Sequence, residues 1–414
     1  MSKIAMSHET AIVLALNCGS SSIKFALFDS AIRPLPRLAI WSGRIEGIGR
    51  PAARLWTSAG DACALHLDAQ QPYHAALVCL RERLRTELPA SAPGGVPGAG
   101  LRAVAHRVVH GGERYQAPTW IDAGVLADLR RYIPLAPLHQ PFALEALEVM
   151  LQDHPELPQL ACFDTAFHHT LAPVERMLGL DWQAWCDGVR RYGFHGLSYE
   201  YLSLALAERH GELASGRVIA AHLGSGASLC ALRGCRSVAT SMGFSALDGL
   251  MMGTRCGSID AGALIHLMQT RGLDLDQTTD LLYHRCGLLG LSGLSDDPRR
   301  LLAAEAGRDT DPVSAERATA ALALYVRRVV REIGALTAVL GGLDLLAFSA
   351  GIGERSAELR RRVCADLGFL GIRLDDAANA GHAAVISAPD SAVRVVVEAT
   401  NEEWIAANQV LTTA

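Results

Sequence analysis

A unit of strand, Gly/Ser turn and strand occurs twice in this 414-residue chain, and no other feature limits its fold as strongly. Two β-rich runs, AIVLAL at 11–16 and IKFALF at 23–28, flank Asn-Cys-Gly-Ser-Ser-Ser and read as a hairpin. Some two hundred residues on, Val218–Leu223 and Ala227–Leu232 flank Gly-Ser-Gly, and placing Gly224 on Gly19 superposes strand, turn and strand. Two such hairpins predict a duplicated fold with one phosphate-facing turn in each half, the alternative being two unrelated hairpins. The length also exceeds what one hydrophobic core usually supports, so two domains are expected.

Between the hairpins, Thr86–Leu101 is too rich in Pro and Gly for regular structure and is expected to be a loop. Pro141–Leu151 and Ser314–Leu340 repeat apolar residues at helical spacing and should pack as helices on sheets. Leu343–Phe348 reads as a buried strand that runs into a Ser-Ala-Gly-Ile-Gly-Glu turn, with a helix over Ser356–Leu367. Strand, glycine turn and helix is the order in which α/β folds place nucleotides.

Composition removes several functions. Half the residues are apolar and 20% charged, which excludes disorder as a general state, and the formal charge of −5 gives no cationic excess for nucleic acid. The longest apolar stretches, such as Ala11–Leu16 and Ala320–Val326, fall far short of the roughly 20 residues of a spanning helix, so no membrane segment is expected. Polar and acidic residues precede the first apolar run, unlike a secretory signal, and a cytoplasmic protein is expected. The 10 cysteines include no C-x-x-C pair, which argues against structural zinc and against a disulfide framework. Only Lys3 and Lys24 among the 38 basic residues are lysines, which sets Lys24 apart in its turn.

Several short segments carry chemistry. Asn17 to Lys24 combines a glycine turn with hydroxyls, an amide and an ammonium, but it leads into a strand and is not a Walker A loop. Arg107 stands at the end of a strand-like run beside Gly111 and Gly112, where a guanidinium can fork onto a carboxylate or phosphate or form a surface ion pair. Asp164 follows an apolar run and precedes His168 and His169, which read as core or helix-capping histidines, while His195 is flanked by glycines. Arg255 lies among small residues, and Glu402 and Glu403 stand where a helix begins, as metal ligands or as helix-capping carboxylates. Two phosphate turns, a nucleotide turn, isolated arginines, a histidine and carboxylates for magnesium make a phosphoryl-transfer set.

The collinear series NCGSSSIK, HRVVHGG, LAPLHQP, FDTAFHHT, RYGFHG, HLGSGAS, GTRCGSID, FSAGIGE and TNEE resembles the acetate kinase family from Asn17 to Glu403. The resemblance implies an α/β protein of two ribonuclease-H-like, actin-like ATPase domains around a central cleft, usually a homodimer. The expected domains are residues 1–164, completed by 399–414, and residues 165–398, the latter binding nucleotide. The implied reaction is transfer of the γ-phosphoryl group of ATP to acetate, with magnesium, replaceable by manganese, as cofactor. Carried over by position, Asn17 and Glu402 would be metal-site residues and Arg107 the contact to the substrate carboxylate. Asp164, His195 and Arg255 would be catalytic. Nucleotide would lie against Lys24, against His222, Leu223, Gly224, Ser225 and Gly226, against Asp297 and Arg299, and against Gly351, Ile352, Gly353 and Glu354. Val109, Leu138, Phe194 and Ala246 would line the acyl pocket.

Four segments depart from the family pattern. Ser225 replaces the usual Asn, the Arg255 loop continues Gly-Ser-Ile-Asp-Ala where Gly-Asp-Ile-Asp-Pro is usual, Ser245–Gly249 replaces Thr-Pro-Leu-Glu-Gly, and Arg355 stands in place of Asn. A carboxylate acceptor is already ionised at neutral pH, so positive charge rather than a strong base is the main requirement. The rival readings are a kinase for propionate or butyrate, an actin-like sugar kinase that needs an aspartate base, and a degenerate nucleotide-binding relative.

Overall fold

The computed structural model describes residues 12–19, 21–50, 52–87, 101–137, 139–308 and 311–413. The expected loop at 86–101 falls mostly outside these, as does Leu138. Two compact units are present, one of residues 1–166 and 401–414, the other of residues 167–400.

In the first unit the strands are β1 (Ile12–Gly19), β2 (Ser22–Asp29), β3 (Trp41–Glu46), β4 (Ala53–Thr57), β5 (Ala62–Leu65), β6 (Leu101–Val108), β7 (Thr119–Trp120) and β8 (Gln159–Phe163). They form one sheet in the order β5-β4-β3-β2-β1-β6-β8-β7. The hairpin β1/β2 is antiparallel, whereas β6 runs parallel to β1 and β8 parallel to β6. The second unit has β9 (Arg217–Leu223), β10 (Ala227–Arg233), β11 (Arg236–Thr240), β12 (Leu345–Ser349) and β13 (Arg394–Val397), ordered β11-β10-β9-β12-β13. Again the hairpin is antiparallel, and β12 and β13 continue parallel to β9. The inner five strands of the first sheet and the five of the second therefore share one topology, in line with the repeated hairpin.

Register makes equivalent stations of two residues. Asn17 on β1 lies between Lys24 on β2 and Arg107 on β6, and residues paired across a sheet project from the same face. His222 on β9 lies in the same way between Ser228 on β10 and Ser349 on β12. Aligning Gly19 with Gly224 places Asn17 on His222, so each unit puts a polar residue at the centre of its sheet, two positions before its glycine.

Packing fixes these strands. Ile12, Leu14, Leu16, Ile23, Phe25 and Leu27 bury against Tyr73, Leu77, Leu80 and Met150 on one side of the first sheet. Each such side chain contributes about 1.5–3 kcal/mol. The helix Glu402–Thr412 packs on β1, β2 and β6, with Asn401 capping its first turn through Trp404 N. The helix Gln140–Asp153 encloses the expected 141–151. In the second unit Pro312–Leu340 is one helix, started by Asp311 accepting from Val313 N and Ser314 N and ended by Gly341 at φ 70°.

One local expectation needs correction. Residues 350–355 are not a glycine turn but a short helix, and the chain reverses at Ala350, whose φ is 63°. An alanine therefore takes the left-handed conformation, while Gly351 and Gly353 are helical. The helix expected over 356–367 spans Ala357–Ala365, with Ser356 as its cap.

Candidate functional site

The first unit gathers four of the singled-out residues on the face of β1 and β6 beside the C-terminal helix. Arg107, next to last in β6, donates from Nε to Asp164 Oδ1 at 2.9 Å and from Nη2 to Asp164 Oδ2 at 2.5 Å. Its Nη1 donates to Asn17 Oδ1 at 2.9 Å, and Asn17 Nδ2 donates to Glu402 Oε2 at 3.1 Å. Three of the five guanidinium N–H groups are thus engaged, leaving one on each Nη. Burial pushes the Asp164 carboxyl above its ordinary value, against the charge and hydrogen bonds of Arg107. Glu403 is likewise raised by burial and by Glu402, with Lys24 opposing.

Lys24 is exposed on β2, directly across from Asn17. It borders a cavity of about 450 Å³ that Arg44, Trp56, Asn401 and Glu403 also line. Val109, just beyond β6, is buried.

The oxygens of Asn17, Asp164 and Glu402 are hard donors suited to magnesium. Among the described residues no three His, Cys, Asp or Glu side chains converge as a metal cage. The chain offers a partial oxygen shell of the kind magnesium completes with water and substrate phosphates.

The second unit gathers another set around the β9/β10 turn. His195 caps the helix Gly196–His210 in the left-handed conformation at φ 60°, a strained backbone for a residue with a Cβ. Its Nδ1 lies 2.8 Å from Ser228 Oγ, and its ring stacks on His222 with centroids 4.1 Å apart. His222 Nδ1 in turn meets Ser198 Oγ at 2.8 Å. A Cβ added at Gly226 would stand 3.3 Å from His195 Nε2 and 3.7 Å from Arg255 Nη1, so two side-chain nitrogens converge over this glycine. Leu223 ends β9 buried, and Ser225 is exposed at the tip of the turn.

Arg255 is held by its own loop, with Nη1 donating to Ala246 O at 3.0 Å. Gly287, which sequence reasoning missed, makes this loop possible: at φ 64° its missing Cβ would lie 2.2 Å from Met252 O and 2.9 Å from Arg255 O. Two of the four departures meet here, since Ser258 Oγ donates to Asp248 Oδ1 at 2.6 Å. An aspartate at 258 would set a second carboxylate against that of Asp248.

The remaining second-unit residues stand separately. Asp297 caps the helix Pro298–Glu305 and pairs with Arg299 at 2.7 Å, and that hydrogen bonding holds its carboxyl below the usual value. Gly351, Ile352, Gly353 and Glu354 form the helix after Ala350, and Gly351 has nothing within 4 Å of an added Cβ. The carbonyls of Gly353 and Glu354 accept from buried Arg360 at 2.7 and 2.8 Å, a support no local motif signalled. Phe194 is buried, and its carbonyl lies 3.0 Å from His168 Nε2, which makes His168 a core histidine as its apolar setting suggested.

Known proteins match this chain along almost all its length. Acetate kinase of Rhodopseudomonas palustris is 45% identical over 404 residues, covering 96% of this chain and 97% of its own. Acetate kinase of Nitrobacter hamburgensis is 46% identical over 408 residues, covering 96% and 95%. Among solved structures, Porphyromonas gingivalis acetate kinase superposes with a TM-score of 0.83 at 35% identity, covering 97% of this chain and 99% of that one. A propionate kinase from Francisella tularensis superposes with a TM-score of 0.86 at 32% identity, covering 96% and 98%. The acetokinase family model matches residues 12–408, from the first strand into the last helix, and the chain belongs to that family.

Proposed function

We propose that this chain is a magnesium-dependent acetate kinase, which transfers the γ-phosphoryl group of ATP to acetate and gives acetyl phosphate and ADP reversibly. The observation that carries the reading is the grip of Arg107 on Asp164. A sugar hydroxyl must lose a proton to attack, and an aspartate whose two oxygens already accept a guanidinium is poorly placed to take it. A carboxylate needs no base. It needs its charge and that of the triphosphate offset, and Arg107 retains one N–H on each Nη for it.

In this reading Arg107 holds the acetate carboxylate while Asp164 keeps the guanidinium in place. Asn17 and Glu402 would hold the metal, with Asp164 beside them as a catalytic residue, and the metal when bound would supply charge neutralisation at the phosphates. His195 and Arg255 donate hydrogen bonds to the γ-phosphoryl oxygens, which their convergence over Gly226 supports. His222 to Gly226 and Lys24 face phosphates. Asp297, Arg299 and residues 351–354 take the adenosine, where the open space at Gly351 lets backbone and ligand approach. Val109, Leu138, Phe194 and Ala246 bound the acyl group. The two domains of the enzyme correspond in this reading to the two sheets.

We further place the enzyme in the cytoplasm as a homodimer. Among the described residues no disulfide joins any of the ten cysteines, as in a reducing compartment. The helix Ala261–Arg271 buries none of its side chains, and Ile265 on it and Ile259 and Leu275 beside it expose apolar surface, as a subunit interface does. Light scattering giving a monomer mass would exclude the dimer. For the reaction, a hydroxamate assay with ATP, magnesium and a panel of acetate, propionate, butyrate and hexoses decides. Acyl phosphate from acetate is expected, and ADP release with a hexose but no hydroxamate from any carboxylate would overturn the assignment.

A further inference from the structure

Behind His195 lies a chain of buried hydroxyls. Ser228 Oγ is 2.8 Å from His195 Nδ1 and 2.5 Å from the Tyr199 oxygen, and both Ser228 and Tyr199 are fully buried.

Counting protons fixes the direction. Two contacts, Tyr199 to Ser228 and Ser228 to His195, can use two protons, and the two hydroxyls supply two. If Nδ1 also carried a proton, three would compete for two contacts and one hydroxyl would be left buried without an acceptor, a costly arrangement. With Nδ1 bare, Tyr199 donates to Ser228, Ser228 donates to Nδ1, and every group is satisfied. The ring proton must then sit on Nε2, the nitrogen 3.3 Å from where a Gly226 Cβ would be.

We propose that Tyr199 and Ser228 are positioning residues that fix His195 in the Nε2–H tautomer, so that the ring presents a donor rather than a lone pair towards the β9/β10 turn. The catalytic consequence rests on the reading above, in which a phosphoryl oxygen occupies that turn. An anion there is attracted by an N–H and repelled by a lone pair, so the tautomer decides whether His195 helps or hinders. Tyr199 stands one helical turn after His195, and Ser228 is the cross-strand partner of His222. The second hairpin and the helix that precedes it thus meet at one hydroxyl.

The test is a ¹⁵N-histidine NMR spectrum of the whole protein without substrate, with the His195 signals assigned by difference against His195→Gln. At neutral pH the expected pattern is a protonated Nε2 and a bare Nδ1. Ser228→Ala should mix the tautomers and lower kcat about tenfold, the scale of a weakened phosphoryl donor, with KM for ATP and acetate little changed. Ser228→Thr should restore both, and Tyr199→Phe, which removes only the outer link, should lose less than Ser228→Ala. A wild-type spectrum with Nδ1 protonated overturns the inference, as does a Ser228→Ala protein that keeps the wild-type tautomer and kcat. Should Ser228→Ala not fold, the wild-type spectrum alone decides. Because it is read without substrate, a protein that makes no acetyl phosphate would overturn the proposed function and leave this inference standing.

Discussion

Nη1 of Arg255 donates to the backbone carbonyl of Ala246 at 3.0 Å, so the residue inferred to bound the acyl group also holds the arginine inferred to meet the phosphoryl group. Position 246 therefore bears on both specificity and rate. Where the family usually has proline, alanine removes ring carbons and frees φ, and we expect a pocket more tolerant of propionate. Ala246→Pro keeps the carbonyl for Arg255, so kcat with acetate should hold while the propionate-to-acetate ratio of kcat/KM falls roughly tenfold, within the range of pocket discrimination per methylene. An unaltered ratio across acetate, propionate and butyrate would show that 246 does not face the acyl chain.

Asp164 and Arg255 should each be needed for turnover. Arg255→Ala should lower kcat by roughly 10² or more, as loss of a preorganised charge does. Asp164→Ala is a poorer probe, because it strands the Arg107 guanidinium and should cost about 3–5 kcal/mol of stability. Asp164→Asn retains one acceptor for Arg107 but turns an amide N–H towards the other guanidinium N–H, so it should cost less stability than alanine while losing a similar factor in kcat. Wild-type turnover in Arg255→Ala or Asp164→Asn would remove that residue from the mechanism.

The hairpins were legible in the sequence because β-rich runs with a Gly/Ser turn need no tertiary information. The pairing of Asn17 with Arg107 was not, since a parallel crossover separates them by some 90 residues and only the sheet register joins β1 to β6. Arg107 and Asp164 each stood out as a lone charge among apolar or small residues, yet nothing local says that one grips the other. The reversal at Ala350 was misplaced because glycine is the usual residue at positive φ, and here an alanine bears the strain beside two glycines. Tyr199, Gly287 and Arg360 carry no motif of their own, and Ser228 closes the HLGSGAS segment without revealing its partners; each acts through contacts that exist only after folding.

Arg360 illustrates the last point and gives a measurable consequence. It is fully buried and donates to the carbonyls of Gly353, Glu354 and Asn379 and to the Asn379 side chain, and burial lowers its pKa from the ordinary guanidinium value. Arg360→Met would leave four acceptors without that donor, at about 1–3 kcal/mol for each one that water cannot reach. We expect a clear drop in melting temperature and, if residues 351–354 hold nucleotide, a higher KM for ATP with KM for acetate little changed. An equal rise in both constants would separate Arg360 from the nucleotide site.

Acid should destabilise the fold through its buried histidines. Burial lowers His106, His110 and His168 from 6.5 to about 4, so above pH 6.5 folded and unfolded chains both keep them neutral. As pH falls from 6.5 towards 4 the unfolded chain takes up these protons first, and each histidine removes about 1.4 kcal/mol per pH unit. Asp164 and Glu403, raised by burial, act in the opposite sense in part of this window, so the informative quantity is the difference between variants. His106→Gln, whose amide can still donate to Gln159, should flatten the dependence of urea stability on pH between 7 and 5 by one histidine's share. An unchanged slope would mean that His106 is charged in the folded protein.

Ser225 tests the second phosphate turn most directly. It is exposed at the tip between β9 and β10, with its carbonyl 3.5 Å from Gly253 N, and a hydroxyl stands there in place of the family's usual amide. If this turn faces phosphates as proposed, the shorter side chain would leave one phosphate contact to water. A charge-assisted hydrogen bond is worth about 1.5–3 kcal/mol when nothing substitutes for it, and a bridging water recovers part of that. Ser225→Asn should therefore raise kcat/KM for ATP by up to about tenfold, the factor that about 1.4 kcal/mol represents. Because the side chain points to solvent, the same change should move stability by no more than about 0.5 kcal/mol. A faster enzyme of unaltered melting temperature places position 225 on the nucleotide phosphates. A slower or unchanged one means that the backbone N–H groups of the turn already satisfy them, and that the serine costs this enzyme nothing.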